Sequence, residues 1–307
     1  MNEFEIIRHF FDDPYGDATI AIGDDAAVIE PPANVPLSIA VDTLIEGRHF
    51  PEDTHAEDIG YRALAVNLSD LAAMAATPKF YTLALTFPEF DQRWLADFSG
   101  AMHALASDYG MQLIGGDTTR GDLSVTVQVI GYQQHRPLRR DGARPGDQIV
   151  VSGTLGDAAA GLGFAKSATH DQTASHWLKQ RFLRPTPRVS LGQHLSGGAT
   201  AAIDVSDGLA ADVGHVATAS GCRAVIDAAR LPLSEPLLAL FDADRARRFA
   251  LVGGDDYELC FTVPAGYDVA QLDECTVIGY CEAGAGVRVL NPPAGFSAEE
   301  SGYQHFE

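Results

Sequence analysis

Residues 203–215 read IDVSDGLAADVGH. The opening AAIDV, at 201–205, has the character of a strand, and LAADVGHVATA, from 209, reads as a helix. A strand that turns through Ser and Gly into a helix is the building unit of layered α/β proteins. The same stretch sets Asp204, Asp207 and Asp212 among small and apolar residues, where repelling carboxylates are out of place. A similar phrase occurs at 65–74, AVNLSDLAAM, and GGD is written twice, as GGDTTRG at 115–121 and GGDDYEL at 253–259.

Strands and helices alternate on either side of this stretch, in both halves of the chain. Residues 3–11 read as a short amphipathic helix, LSIAVD at 37–42 as a buried strand followed by a long loop, and 58–76 as a helix ending before Pro78. Strand FYTLALTF, a helix over 91–109, strand MQLIG and strand LSVTVQVIGY follow. RPLRRDGARPGD, at 136–147, is rich in Pro, Gly and charge and marks a boundary. Beyond it come strand DQIVVSG, a Gly/Ala-rich helix, a helical pair broken by RPTPR at 184–188, the opening strand and helix, then strands RAVID and YELCFTV. The expectation is an α/β protein, layered as α+β, with domains over 1–137 and 138–307. The repeated S-D and GGD phrases fit either related domains or one local geometry used twice.

A chain of 307 residues, 46% apolar and 21% charged, has room for a sizeable core. No apolar run approaches the ~20 residues of a membrane helix, and the start MNEFEIIRHFFDD lacks a basic region ahead of an apolar one. A cytoplasmic protein is expected. The formal charge of −21 disfavours nucleic acid or an anionic membrane as partner, so any phosphate must arrive with cations. Cys222, Cys260, Cys275 and Cys281 form no C-x-x-C pair and read as buried free thiols. GLGFAKS, at 161–167, has Ala165 where a phosphate loop requires Gly, so it reads as helix.

The acids that draw attention are Asp24 and Asp25, Asp42, Asp70, Asp117, Asp204 and Asp207, and Asp255 and Asp256. They are expected at strand ends or in loops, where open α/β sheets place ligand-binding groups, so that several would meet at one rim. Two like charges ~4 Å apart repel by about 4 kcal/mol at an effective dielectric near 20. A carboxylate cluster is therefore protonated, spread out or bridged by cations, and hard divalent cations completed by substrate phosphates are the economical solution. Metal-assisted phosphoryl transfer is the leading chemistry. Each piece also has a plain structural reading: Asp207 as a helix N-cap, and GDD, GGD and GDT as turns. Asp70 resists such a reading, because it lies with Asn67 on one face of an Ala/Leu/Met helix. His49, just after Asp42, is either a ligand contact or a solvated surface histidine.

Taken in order, GDDAAVI, VDTLIEGRHF, ALAVNLSDLAAMAATP, MQLIGGDTTRG, DVSDGL and GGDDYELCFTVP, spread over 23–264, closely resemble the thiamine-monophosphate kinase family. That family is similar to aminoimidazole ribonucleotide synthetase, selenophosphate synthetase and the hydrogenase-maturation protein HypE. The resemblance implies an N-terminal α/β domain that binds ATP and Mg²⁺ and pairs its sheet across a homodimer, and a C-terminal α/β domain that completes the nucleotide and substrate site. It implies Asp25, Asp42, Asp70, Asp117, Asp204 and Asp207 as magnesium ligands. Gly116, Asp117, Arg140 and Ser206 would contact ATP, and His49, Asp255 and Glu300 thiamine monophosphate. The family usually has Glu where this chain has Asp255, and an aromatic where it has Glu300, so ring stacking could fall to Phe296. The implied reaction passes the γ-phosphoryl of ATP to thiamine monophosphate, giving thiamine diphosphate without a dedicated general base. Aminoimidazole ribonucleotide synthesis is the enzymatic alternative. A non-catalytic module binding calcium or polyanions would account for the charge, but not for aspartates at strand ends in both halves.

Overall fold

The run of Ala, Leu and Val after His55 forms a long helix because small residues let it pack closely on its neighbours. The computed structural model describes residues 2–12, 18–166 and 173–296. The chain divides into two compact units, Met1–Leu71 with Ala76–His135, and Ala72–Ala75 with Arg136–Glu307.

The first unit holds α1 (Glu3–Ile6), β1 (Leu37–Ile45), α2 (Ala56–Ala73), β2 (Thr77–Phe87), α3 (Gln92–Asp108), β3 (Gln112–Arg120) and β4 (Ser124–Tyr132). Its sheet has the order β1-β4-β2-β3, with β1–β4 and β4–β2 antiparallel and β2–β3 parallel. Gly60 of α2 is approached so closely by α3 that a Cβ there would lie 2.3 Å from the Phe98 carbonyl oxygen. Phe87 stacks on Trp94 and Trp94 on Phe98, at centroid distances of 6.5 and 5.0 Å, which ties α3 to the end of β2. The opposite sheet face stays partly open: on β1, Ile39, Val41 and Ile45 are 59%, 56% and 44% exposed.

Five boundaries differ from expectation, each for a local reason. Residues 3–11 are not one α-helix; Ile7–Phe11 widen into a π turn, and Phe10 and Phe11, adjacent in sequence, are both buried. The strand expected to end at Asp42 runs on to Ile45, and the one expected to end at Gly115 runs on to Arg120, carried by β-favouring Thr43, Thr118 and Thr119 in register with β4 and β2. Pro78 lies inside the first residues of β2, where the ladder shifts register between Pro78 and Phe80. The strand expected from Tyr257 starts at Leu259, because Tyr257 adopts φ 51°.

The second unit holds β5 (Gln148–Ser152), α4 (Asp157–Ala165), α5 (Thr173–Leu183), α6 (Val189–Leu195), β6 (Ala201–Asp204), α7 (Leu209–Ser220), β7 (Arg223–Asp227), α8 (Glu235–Leu240), α9 (Ala243–Val252), β8 (Leu259–Val263), β9 (Cys275–Glu282) and β10 (Gly286–Leu290). GLGFA therefore is helix. The sheet order is β10-β7-β9-β5-β8-β6, antiparallel except for the β10–β7 pair. Leu209, Val213, Val216 and Ala217 give α7 one apolar stripe, which joins Ile149, Val151, Ile203 and Cys260 in the main core. Cys222, Cys260 and Cys281 are buried and Cys275 is half-buried, all as free thiols.

Candidate active site

In the first unit the acids fall into two places. A cleft of about 910 Å³ is lined by Asp24, Asp25, Gly116, Asp117 and Thr118, with Arg8 and Phe11 on its wall. Gly116 is essential to its shape: its φ is 153°, and a Cβ would lie 1.8 Å from the Leu83 carbonyl oxygen. Asp42 and Asp70 gather around α2 instead. Asn67, 1% exposed, accepts the Asp42 N–H through Oδ1 at 3.0 Å and donates through Nδ2 to the Ala63 carbonyl at 2.9 Å, and Asp70 follows one turn later.

Strand register separates these places. Asp42 pairs with Val127, which pairs with Leu83, and both partners are buried; Asp117 pairs with Ala84, which is exposed. Residues directly opposite share a face, so Asp42 and Asp117 lie on opposite faces of this sheet. Both lie within strands and not at strand ends, which corrects the placement expected for them. His49 closes the turn after β1, its Nδ1 accepting the Ile45 N–H at 3.0 Å. With Nδ1 an acceptor, the neutral ring carries its proton on Nε2.

In the second unit, DVSDG and GGDDYE lie side by side. The Asp255 N–H donates to the Ser206 carbonyl, the Tyr257 N–H to the Val205 carbonyl, and the Val205 N–H to the Glu258 carbonyl, at 2.9, 2.9 and 2.8 Å. Asp204, Ser206, Asp207 and Asp255 are thereby brought onto two joined loops at the end of β6. The approach requires glycine, since a Cβ on Gly254 would lie 2.2 Å from the Ser206 carbonyl oxygen. Asp255 takes φ 70°, a left-handed conformation that Asp tolerates better than most residues. Arg140 lies beside the start of β6: the carbonyl of its neighbour Arg139 accepts the Ala202 N–H at 3.0 Å, its own carbonyl accepts from Ser220 at the C-terminal end of α7, and its side chain is exposed. Glu300 lies outside the described residues.

Asp207 does not cap α7; Gly208 occupies that position, with φ 119°. The loop is held by Asp212 instead, whose Oδ2 accepts the N–H groups of Ser206, Asp207 and Gly208 at 3.0, 3.1 and 3.1 Å. Asp212 is 2% exposed. Burial first, then the charges of Asp204 and Asp207, push its carboxyl up to about 8, against the pull of the N–H donors. Ligand atoms of Asp207, Asp212 and His215 all lie within 4.8 Å of one another.

Residues 23–133 match the AIR synthase related protein N-terminal domain, and residues 144–290 match the AIR synthase related protein C-terminal domain. The thiamine-monophosphate kinase of Salmonella typhimurium (strain LT2) is 48% identical, over 99% of this chain and 98% of its own. The chain belongs to the thiamine-monophosphate kinase family. Within that family, the solved enzyme from Stenotrophomonas maltophilia K279a is 47% identical, with a TM-score of 0.85 over 92% of this chain and 93% of its own. A second solved relative, AaThiL complexed with AMPPCP and TMP, is 34% identical, with a TM-score of 0.82 over 93% of this chain and 92% of its own.

Three buried acids take roles that their motifs do not announce. The apolar company of Asp212 marks it as unusual, but not as the acceptor that holds the loop before α7. Asp256 reads as the second half of a turn, yet it accepts the Gly156 and Ala158 N–H groups at 2.6 and 3.1 Å and tethers the start of α4. Complete burial pushes its carboxyl up to about 8. Glu258, the third, is 1% exposed.

Proposed function

We propose that this chain transfers the γ-phosphoryl group of ATP directly, in line and with magnesium, to the phosphate of thiamine monophosphate, the last step of thiamine diphosphate biosynthesis. Membership of the kinase family supports the reaction. The observation that carries its assignment to particular residues is the pair of hydrogen-bonded loops presenting Asp204, Ser206, Asp207 and Asp255 together. The donor set suits magnesium: the assigned ligands are all carboxylate oxygens, and the charges of Asp204 and Asp207, which help to push the Asp212 carboxyl up, are ones a bound cation would offset. Asp25, Asp42, Asp70, Asp117, Asp204 and Asp207 would hold the ions. Bound there, magnesium would offset the repulsion between two polyanions and polarise the phosphoryl group.

The chain's own groups bind and align. Ser206 and the glycine-bared backbone at Gly116, beside Asp117, contact the nucleotide; Arg140, exposed at the other end of α7, is assigned to ATP by the family's pattern. His49 and Asp255 contact thiamine monophosphate, with Asp255 reaching one methylene less far than the family's usual Glu; Glu300 is assigned there by pattern too. No general base is required, because a phosphate monoester with a second pKa near ~6 is already ionised at neutral pH. Catalysis reduces to positioning and charge compensation.

Asp70→Asn tests the metal assignment on the α2 side. The magnesium midpoint of activity should rise at least about 10-fold, the low end of what loss of even an outer-shell partner costs. An unchanged magnesium titration would move Asp70 to a purely structural role.

The protein works in this reading as a cytoplasmic homodimer that binds neither nucleic acid nor membrane. The support is the net charge of −21, a described chain with no helix long and apolar enough to cross a membrane, and the open apolar stripe of Ile39, Val41 and Ile45 on an edge strand. Light scattering on the wild type should give a dimer mass and on Ile39→Lys/Val41→Lys a monomer mass. A monomeric wild type at micromolar concentration would remove this part of the account.

A further inference from the structure

The second unit buries an ion network that no step above uses. Glu258 accepts from Ser152 Oγ at 2.5 Å, Arg181 Nη2 at 2.8 Å, Arg188 Nε at 2.6 Å and Arg188 Nη2 at 2.8 Å. Arg188 also reaches the exposed Glu274 through Nη1 at 2.9 Å. The space around the fork is full: a Cβ on Gly153 would lie 2.3 Å from Glu258 Oε1 and 2.6 Å from Arg188 Nη2.

Burying such charges is a poor way to gain stability, since apolar residues of similar volume do as well or better. Location offers a better reason. Glu258 is the residue before Leu259, which pairs with Asp204, and its own carbonyl accepts the N–H of Val205. Three residues upstream, Asp255 donates to Ser206. Residues 255–259 and 204–206 thus form one short ladder, and Glu258 bolts it by its side chain to α5, to β5 and to Arg188 just ahead of α6.

We propose that Glu258, clamped by Arg181 and Arg188, is a positioning residue that sets the spacing between Asp255 on one loop and Asp204 and Asp207 on the other. Arg188 presents a planar fork that fixes direction as well as charge, which a lysine cannot reproduce. The proposal rests on the assignment of Asp255 to the substrate and of Asp204 and Asp207 to magnesium.

The test compares Glu258→Gln, Arg188→Met, Arg188→Lys and Glu274→Gln in the full-length protein, measuring KM for thiamine monophosphate, kcat and the magnesium midpoint. Glu258→Gln and Arg188→Met should each raise KM and the magnesium midpoint by about 10-fold, within the ~10²-fold that ångström-scale misplacement can cost. Arg188→Lys should fall between Arg188→Met and wild type. Glu274→Gln leaves the buried charges paired, so it folds whatever the others do, and should raise KM by about threefold for the loss of one of the bonds that orient the fork. Folded Glu258→Gln and Arg188→Met proteins that melt earlier yet keep KM and the magnesium midpoint within about twofold of wild type would overturn the proposal; the same holds for an unchanged Glu274→Gln if neither buried variant folds. Asp255→Asn separates the two failures. If it raises KM while the clamp variants do not, positioning alone is wrong; if it too leaves KM unchanged, the site assignment is wrong.

Discussion

Asp204→Asn should leave the fold intact and remove about 10²- to 10³-fold of kcat, the loss typical of deleting one preorganised electrostatic group. The side chain keeps its shape, and β6 is held to β8 through the backbone, so the sheet has no reason to open. What changes is charge. Asp204 is 5% exposed, beside Asp207 and Asp212, and the crowding is strong enough to disturb Asp212. Removing one negative charge from an apo cluster relieves repulsion, so the apo protein should melt at the same temperature or slightly higher while magnesium stabilises it less. Steady-state kinetics with a melting curve in the presence and absence of magnesium checks both halves. Turnover within twofold of wild type would remove Asp204 from the site.

Asp212→Ala should be the most damaging change in the same loop for a different reason. It leaves three buried or half-buried N–H groups, on Ser206, Asp207 and Gly208, without their common acceptor. A loss of about 2–4 kcal/mol of unfolding free energy is expected, from orphaned donors worth ~1–3 kcal/mol each, partly recovered by water. Activity should fall with it, because Ser206 and Asp207 lose the backbone geometry that aims them. Asp212→Asn keeps an acceptor oxygen and should recover most of the stability. Urea denaturation of the two variants distinguishes them, and equal stability would mean that the loop is held by something other than Asp212.

The alternation of strand and helix was legible where a helix carries a clear apolar stripe and a strand a short apolar run, as in Ala201–Asp204 followed by Leu209–Ser220; the short helices α8 and α9, between RAVID and YELCFTV, were not. Strand length was less legible. DTLI and GDTTR look like loop chemistry, and only pairing with Thr126 and Thr86 reveals that they continue a sheet. The sign of φ at Tyr257 was invisible too, since nothing local requires an aromatic to be left-handed; the adjoining ladder to Val205 imposes it.

At the site, the aspartates announced themselves by their flanking glycines and serines, which is how backbone close to a ligand is written. Their grouping did not. That Asp25 and Asp117 share a cleft while Asp42 turns toward Asn67 depends on strand register, a long-range property. The supporting roles were hardest to see, because the apolar company of Asp212 suggests burial but not that its carboxylate turns back onto the loop N–H groups. Glu258 left a fainter signal still, a charge inside the apolar run YELCFTV.

Phosphoryl transfer from ATP to thiamine monophosphate is visible by phosphorus NMR of the purified protein with ATP, magnesium and thiamine monophosphate. The diphosphate resonances of thiamine diphosphate should grow in step with those of ADP, and EDTA should abolish both. A folded protein, stabilised by Mg-ATP, that leaves thiamine monophosphate unchanged would rule out this acceptor and direct the search to a different one.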